Sequence, residues 1–375
     1  MINAAYDEHL ERIKAAIDFE IIDRVPFVAS GSAVNAAIMG VTVADYISDM
    51  ELCCTTNIEG IRKYAGDLAD AAQATIFKPQ LLSMAWLGKA KIPGVDLPDN
   101  ELWQMDEKET VTQDDYDLIL EMGYKPWLDM VFKERLGDPI SQALDFIEYA
   151  PIAEQRFIDA GIPNINGAAC DPPMEKFCGG RMLMNFFMDD IWDMPEKLDE
   201  VFRLVQNENL ADWEALFQNP AAKPTGVWIG GWRGTPDMLN PEMFERFSWQ
   251  YFREIAQLCI DYDVIPIFHM DSNWDNGIHW FKDIPRHKAI MALDGMTDIF
   301  RAREIIGDHM AIMGDVPSAM QSPFGTPEEV DAYCKRLITE VGPAGYLMCS
   351  GCDSPFNATL ENLQAMAHSV EKYLP

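Results

Sequence analysis

The chain has 375 residues, of which 48% are hydrophobic, and 29 Lys and Arg stand against 61 Asp and Glu, a formal net charge of -32 at pH 7. This size suits one large barrel or two smaller domains, and an acidic surface disfavours nucleic acid and anionic membranes as partners. No segment reaches the roughly 18 apolar residues of a membrane span, and the eight cysteines have no regular spacing, so we expect a cytoplasmic protein with reduced thiols.

The predicted elements alternate between helices and short apolar strands. The first, MINAAYDEHLERIKAAIDF, is amphipathic and charged, which predicts an N-terminal helical extension and not a secretion signal. Eight strand candidates follow, at residues 24–30, 72–79, 162–169, 226–232, 264–271, 287–295, 309–316 and 344–351. Segments with helical periodicity separate most of them, and one of these helices begins with Thr326 as its cap and Pro327 in its first turn.

Eight strands that alternate with helices predict a parallel α/β architecture, and eight is the number that closes a (β/α)8 TIM barrel. A helical region from about Asp114 to Arg156 interrupts the alternation, and we expect it to be an insertion that covers one end of the barrel. No flexible linker, low-complexity tract or repeat divides the chain. We therefore expect a single domain over residues 1–375.

Polar and sulfur-containing residues collect where the predicted strands end, which is where barrel enzymes carry their active sites. His269 and Asp271 lie two residues apart after VIPIF, so their side chains point to the same face of the strand. Cys352 follows the last strand, and strands of a closed barrel converge at one mouth. These three residues could therefore meet around one Zn²⁺ ion, which accepts all three ligand types. The alternative is a hydrogen-bonded histidine and a cysteine that packs as a small hydrophobe.

Two further groups of residues belong to the predicted site. Cys349 forms C-x-x-C with Cys352, but its direction alternates along the strand and no second C-x-x-C occurs, so we expect it in the core. A pocket lined by tryptophan and methionine suits an apolar aromatic substrate. The candidates for substrate binding near the strand ends are Trp86, Asp171, Trp232 and Trp274.

Several segments resemble the uroporphyrinogen decarboxylase superfamily, in the same order and along nearly the whole chain. They are ERIKAAIDFEIIDRVPFVAS with DRVP at 23–26, and the segments at 178–202, 239–273, 305–318 and 345–370. The last segment, with its GC and ENLQAM, is the most specific. The resemblance implies a single (β/α)8 barrel whose active site lies at the C-terminal ends of the strands.

The superfamily holds decarboxylases and corrinoid-dependent methyltransferases. The decarboxylases bind a polycarboxylate with arginines near the N-terminus, whereas here Arg24 has no following arginine pair and the net charge is -32. In the methyltransferases zinc is typically held by His-x-Cys and by the cysteine of the GC motif. The resemblance therefore implies His269 and Cys352 as zinc ligands, with Asp271 in place of the middle cysteine.

Replacing a thiolate by a carboxylate makes a harder metal site that suits an oxygen ligand. On this basis we expect an O-demethylase-type methyltransferase that takes a methyl group from a methoxylated substrate, with an aryl methyl ether as the natural candidate, and passes it to Co(I). The leaving phenolate has a pKa of about 10, so Lewis-acid assistance, or protonation by His269 and Asp271, would lower the barrier. The chain has no D-x-H-x-x-G motif, so cobalamin would arrive on a separate corrinoid protein docked over the barrel mouth.

Alternatives stay open at this point. Methanol, an amine or a glycol-like ether could be the methyl donor, and these would need a smaller, less aromatic pocket. A thiol acceptor is disfavoured by Asp271, and a decarboxylase-like enzyme or a non-enzymatic tetrapyrrole- or corrinoid-binding barrel is also possible. Asp171, Glu175 and Asp315 are candidates for a fourth zinc ligand. A homo-oligomer is compatible with the sequence.

Overall fold

A computed structural model describes residues 3–21 and 23–374, and its core is a curled parallel sheet. The strands are β1 (Phe27–Ala29), β2 (Ala69–Ala72), β3 (Lys89–Lys91), β4 (Gln104–Asp106), β5 (Ala168–Ala169), β6 (Gly226–Gly231), β7 (Ile265–Met270), β8 (Ile290–Leu293), β9 (Ala311–Val316) and β10 (Tyr346–Ser350). Eight of them form one sheet in the order β2–β1–β10–β9–β8–β7–β6–β5, and β3 and β4 form a separate antiparallel hairpin.

The two edges of the sheet meet just before β5. Ala72, at the end of β2, donates its N–H to the carbonyl of Pro163 at 2.8 Å and accepts the N–H of Ile165 at 3.1 Å. Ala72 and Asn164 form a parallel bridge. This pairing brings the edge strands together, so the predicted α/β TIM-barrel fold is confirmed.

Helices surround the sheet. The α-helices are α1 (Ala4–Ile17), α2 (Ser32–Met39), α3 (Val43–Ser48), α4 (Met50–Ala65), α5 (Gln80–Trp86), α6 (Asp114–Met122), α7 (Tyr124–Glu134), α8 (Pro139–Gln142), α9 (Leu144–Ala160), α10 (Pro173–Arg181), α11 (Leu183–Asn185), α12 (Ile191–Asp193), α13 (Pro195–Gln218), α14 (Pro241–Phe244), α15 (Gln250–Asp261), α16 (Ile299–Ile306), α17 (Ser318–Gln321), α18 (Pro327–Arg336) and α19 (Leu360–Lys372). The π-helical segments are Phe186–Asp190, Glu245–Trp249 and Leu337–Val341, and 3-10 turns lie at Gly66–Leu68 and Ile278–Asp283. Among the described residues, no helix is long and apolar enough to cross a bilayer.

Two apolar cores hold the domain together. The larger lies between the sheet and the helices, and the smaller fills the barrel with side chains such as Val28, Ile267, Met313 and Leu347. Ile13, Ala16 and Ile17 of α1 join the smaller core. Since β1 and β2 begin near α1, the N-terminal helix closes the N-terminal end of the barrel and leaves the opposite end available for a site.

The second strand lies earlier than predicted. The hydrophobic pattern predicted it at 72–79, whereas β2 spans Ala69–Ala72. Its sequence, ADAA, lacks the β-branched residues that signal a strand, and its buried carboxylate, Asp70, pairs with Arg12 at 2.6 Å and also with Arg24. Tertiary ion pairs therefore stabilise a strand that propensity did not reveal, and the β3–β4 hairpin was likewise not predicted.

The region predicted as a helical insertion is helical, but its helices pack against different parts of the barrel. Helix α9 packs on α4 in the outer layer of the barrel, whereas α6 and α7 pack on α13. The ring of Trp127 in α7 stacks on that of Phe177 in α10, with centroids 5.8 Å apart. The C-terminal part of the region is therefore an ordinary barrel helix, and the added part lies beside α10 and α13.

Candidate metal centre and active site

His269, Asp271 and Cys352 form a compact cluster at the C-terminal mouth of the barrel. His269 is the penultimate residue of β7, Asp271 follows that strand directly, and Cys352 lies two residues beyond β10. Nε2 of His269 is 3.0 Å from Oδ1 of Asp271 and 3.9 Å from Sγ of Cys352. One ligand atom from each residue lies within 4.8 Å of the other two.

These separations suit a tetrahedrally coordinated metal ion after small side-chain adjustments. Zinc–ligand bonds of about 2.0–2.3 Å place neighbouring ligand atoms about 3.3–3.8 Å apart in a tetrahedron. The His269 side chain is buried, with 6% of its surface exposed, whereas Cys352 is exposed. The cluster is therefore anchored on the barrel side and open on the solvent side, where a substrate atom could complete the coordination.

The protonation of His269 depends on its two neighbours. Burial lowers the pKa of His269, but the hydrogen bond with Asp271 and the adjacent Cys352 outweigh burial and raise that pKa from 6.5 to about 9. Without a metal ion the imidazole is therefore a cation at neutral pH. A metal ion at Nε2 has to displace that proton, so metal affinity should increase with pH.

The backbone near Asp271 is fixed by Trp274. The indole Nε1 of Trp274 donates to the carbonyl of Asp271 at 2.8 Å, and the Trp274 N–H donates to Oγ1 of Thr297 at 2.9 Å. Trp274 itself is fully buried among aromatic side chains, including Phe244 and Phe281. The structure thus places this predicted substrate-binding residue in the core, where it supports the chain that carries Asp271.

The predicted residues Trp86 and Trp232 lie side by side. Their ring centroids are 4.9 Å apart, and both side chains are half-buried. The guanidinium of Arg233 lies 3.9 Å from the Trp232 ring. Nε1 of Trp232 is buried and has no hydrogen-bond partner among the described residues. This pair offers aromatic surface to a flat ligand.

Asp171 lies across β6 from His269 and is not part of the metal cluster. Its Oδ1 accepts the N–H of Gly230 at 3.0 Å, and Gly230 pairs with His269 in the sheet register. A Cβ at position 230 would lie 2.8 Å from that oxygen, so only glycine lets the carboxylate approach. Asp171 is therefore held next to the histidine strand.

The other two candidates for a fourth ligand are engaged elsewhere. Glu175 is buried and accepts the backbone N–H groups of Arg233 at 3.1 Å and Gly234 at 2.8 Å, and burial raises its pKa to about 8. Asp315 accepts the hydroxyl of Tyr333 on α18 at 2.7 Å, and burial raises its pKa to about 7. Glu175 therefore orders the loop after β6, and Asp315 ties β9 to the outer helices.

Trp228, which the sequence places in the fourth predicted strand but does not mark as a site residue, contacts His269 directly. The two ring centroids lie 3.9 Å apart with 29° between the planes. Trp228 is in the middle of β6, so nothing in its local pattern separates it from a core tryptophan. Cys349, by contrast, is buried inside the barrel, as expected.

Comparisons with known proteins agree with this architecture. The uroporphyrinogen decarboxylase (URO-D) family model matches residues 185–373, half of the chain. The chain belongs to the uroporphyrinogen decarboxylase family. The resemblance deduced from the sequence is thereby confirmed, and the matched half includes His269, Asp271 and Cys352.

Individual relatives within the superfamily are distant. The chain is 24% identical to a uroporphyrinogen decarboxylase of Coxiella burnetii over 141 residues, which cover 36% of this chain and 38% of that protein. It is 25% identical to the methylcobamide:CoM methyltransferase MtbA of Methanosarcina mazei over 137 residues, 36% of this chain and 39% of that protein. The chain thus matches less than half the length of these curated relatives. A solved methyltransferase from Methanosarcina mazei superposes with a TM-score of 0.72 at 16% identity, over 97% of this chain and 98% of that one, and shares its fold.

Arg24 takes a structural position in this chain. Arg24 is buried and binds both carboxylate oxygens of Asp70 at the N-terminal end of the barrel, where Asp70 also accepts the Phe27 N–H at 2.8 Å. The cluster around His269 lies at the opposite end. Arg24 therefore cannot contact a substrate bound over that cluster.

Proposed function

We propose that the protein is a corrinoid-protein-dependent methyltransferase that removes a methyl group from an aryl methyl ether and passes it to Co(I) of a separate corrinoid protein. The observation that carries this proposal is the cluster of His269, Asp271 and Cys352 at the barrel mouth. The similarity to MtbA, a methylcobamide:CoM methyltransferase, supports methyl transfer involving a corrinoid. The N-terminal position of Arg24 gives no support to decarboxylation of a polycarboxylate.

The donor set of the cluster fits zinc. It combines one imidazole nitrogen, one carboxylate oxygen and one thiol sulfur, all of which zinc accepts, and leaves the solvent side open. Zinc bound there would supply a Lewis acid for an ether oxygen. Asp271 makes the site harder than one with a second thiolate, which favours an oxygen atom of the substrate as the additional ligand.

His269 could also act on the leaving oxygen without a metal. Its pKa of about 9 lies close to the value of about 10 for a phenol, so proton transfer between the two is nearly balanced. In the reaction the methyl carbon bonds to Co(I), the C–O bond breaks with its electron pair left on oxygen, and the imidazolium proton neutralises the phenolate. That proton starts on Nε2, which donates it in a hydrogen bond to Asp271 at 3.0 Å, and it passes to the leaving oxygen as the C–O bond breaks.

The aromatic surface just after β6 supports an aromatic donor, since β6 ends next to Asp271, whose N–H donates to the carbonyl of Gly231 at 3.0 Å. Trp86 and Trp232 are half-buried with their rings 4.9 Å apart, which provides an apolar wall for a second ring system. A donor the size of methanol would leave this surface uncovered.

A second candidate function is methyl transfer to a thiol. The similarity to an enzyme named for CoM favours it, since that similarity is as extensive as the one to the decarboxylases. The carboxylate of Asp271 counts against it, because a harder site lowers zinc's preference for a thiolate substrate.

A direct test uses 2-methoxyphenol with free cob(I)alamin, followed by the appearance of methylcobalamin, and elemental analysis of the same preparation. We expect methyl transfer and about one zinc per chain, as a single three-ligand site implies. His269→Ala should lose both, whereas the matched control His368→Ala, at an exposed surface position, should keep both. Activity only with a methylated thiol, or with methylcobalamin and a free thiol, would replace the proposal by the second candidate.

A further inference from the structure

The imidazole of His269 has an unusual second nitrogen. Its Nδ1 is buried and makes no hydrogen bond with any described residue, although the side chain is only 6% exposed. A metal-binding histidine normally donates its other N–H to a carboxylate or a carbonyl, which fixes the orientation of the ring. At position 269 that restraint is missing, so another contact has to set the direction of Nε2.

The face of Trp228 supplies a contact of the right kind. Its ring lies 3.9 Å from the His269 ring, centroid to centroid, and the planes differ by 29°. A flat side chain packed on the face of an imidazole opposes its rotation out of the stacked plane. The stack therefore restrains the same torsion that a hydrogen bond at Nδ1 would restrain.

The sheet register explains why Trp228 can reach the ring. Gly230 pairs with His269, and Trp228 lies two residues earlier on β6, so both β6 residues face the same side of the sheet. With no side chain at 230, the space beside the imidazole is left to the indole and to Asp171. A Cβ on Gly230 would lie 3.7 Å from Nε1 of Trp228 and 2.8 Å from Oδ1 of Asp171.

We infer that Trp228 is the positioning residue of the metal centre. It holds the imidazole so that Nε2 faces Asp271 at 3.0 Å and Cys352 at 3.9 Å, in place of the hydrogen bond that Nδ1 lacks. This inference rests on the metal site of the proposed function. Loss of an outer partner of a ligating histidine typically costs about 10- to 100-fold in metal affinity, which sets the expected size of the effect.

The test compares zinc binding by chelator competition, and the visible absorption spectrum with Co²⁺ in place of zinc, across three variants. Trp228→Leu keeps an apolar side chain but removes the flat ring, and it should weaken zinc binding by about 10- to 100-fold and change the Co²⁺ bands. Trp228→Phe restores a ring and should recover most of the zinc affinity and of the wild-type Co²⁺ spectrum. Trp192→Leu, at a tryptophan that is 62% exposed, is the matched control and should change neither.

The outcomes separate this inference from the proposed function. Unchanged zinc affinity and an unchanged Co²⁺ spectrum in a folded Trp228→Leu protein would overturn it, and circular dichroism verifies folding. If that variant does not fold, Trp228→Met, which also lacks a flat ring, takes its place. A wild-type protein that binds no zinc would overturn both the inference and the metal site. Zinc binding with the expected Trp228 dependence but no demethylation would leave the inference standing and remove the methoxyarene function.

Discussion

Replacing Asp271 by asparagine should lower the pKa of His269 in the metal-free protein. The carboxylate lies 3.0 Å from Nε2, and the pKa of His269 is about 9 instead of 6.5 although burial opposes the increase. That difference corresponds to roughly 3 kcal/mol in favour of the imidazolium in the folded state. Asp271→Asn removes the negative charge and leaves burial in place, so the pKa of His269 should fall substantially towards or below 6.5.

The same change should alter the pH dependence of stability. Because the folded state binds the His269 proton more tightly than the unfolded state, this contribution is complete below about pH 6.5 and disappears as the pH rises through about 9. The free energy of unfolding of the metal-free wild-type protein should therefore fall by up to roughly 3 kcal/mol across this pH window, and that of Asp271→Asn should fall much less. Glu175 and Asp315, with pKa values of about 8 and about 7, titrate in the same window, so the difference between the two proteins is the quantity to measure.

The assay combines two measurements on chelator-treated protein. An NMR titration of histidine-labelled protein gives the pKa of His269, whose resonance is identified by its absence in His269→Ala. Urea unfolding at about pH 6 and about pH 9 gives the free energies of unfolding. The reasoning is refuted if wild-type His269 titrates at or below 6.5, or if Asp271→Asn shows the same loss of stability with pH as the wild type.

Four further substitutions test the cluster and its surroundings. Asp271→Cys should tighten zinc binding and shift methyl transfer towards thiols, measured by chelator competition and by paired thiol and ether assays; unchanged preference would contradict the hardness argument. Cys352→Ala should abolish zinc binding with little effect on stability, whereas Cys349→Ala, in the barrel interior, should cost about 1 kcal/mol of unfolding free energy and keep the zinc. Gly230→Ala should displace the carboxylate of Asp171, 2.8 Å from the new Cβ, and lower kcat with zinc retained; wild-type kcat would show that Asp171 does not take part.

Patterns of local hydrophobicity predicted most of the barrel. The strands that carry the site, β6, β7 and β10, lie within the predicted segments 226–232, 264–271 and 344–351 because β-branched and apolar residues concentrate there. The cap of α18 at Thr326, with Pro327 in the first turn, was also predicted, since capping depends on local residues; the structure adds that Glu329 completes a capping box. The strand ADAA was misplaced because its stability comes from ion pairs of Asp70 with residues distant in sequence.

Some features of the site likewise follow from the local sequence, and others depend on tertiary contacts. The sequence by itself determined that His269 and Asp271 share a face, because side chains alternate with a period of two along a strand. It did not determine that Cys352, 83 residues from His269, comes within 3.9 Å of Nε2, since this depends on how β7 and β10 converge when the sheet curls. Only the tertiary structure placed Trp228 on the imidazole, because the register between β6 and β7, and not any local pattern, decides which ring that tryptophan meets. It also placed Trp274 in the core, where the rings of Phe244 and Phe281, distant in sequence or on another element, pack on it.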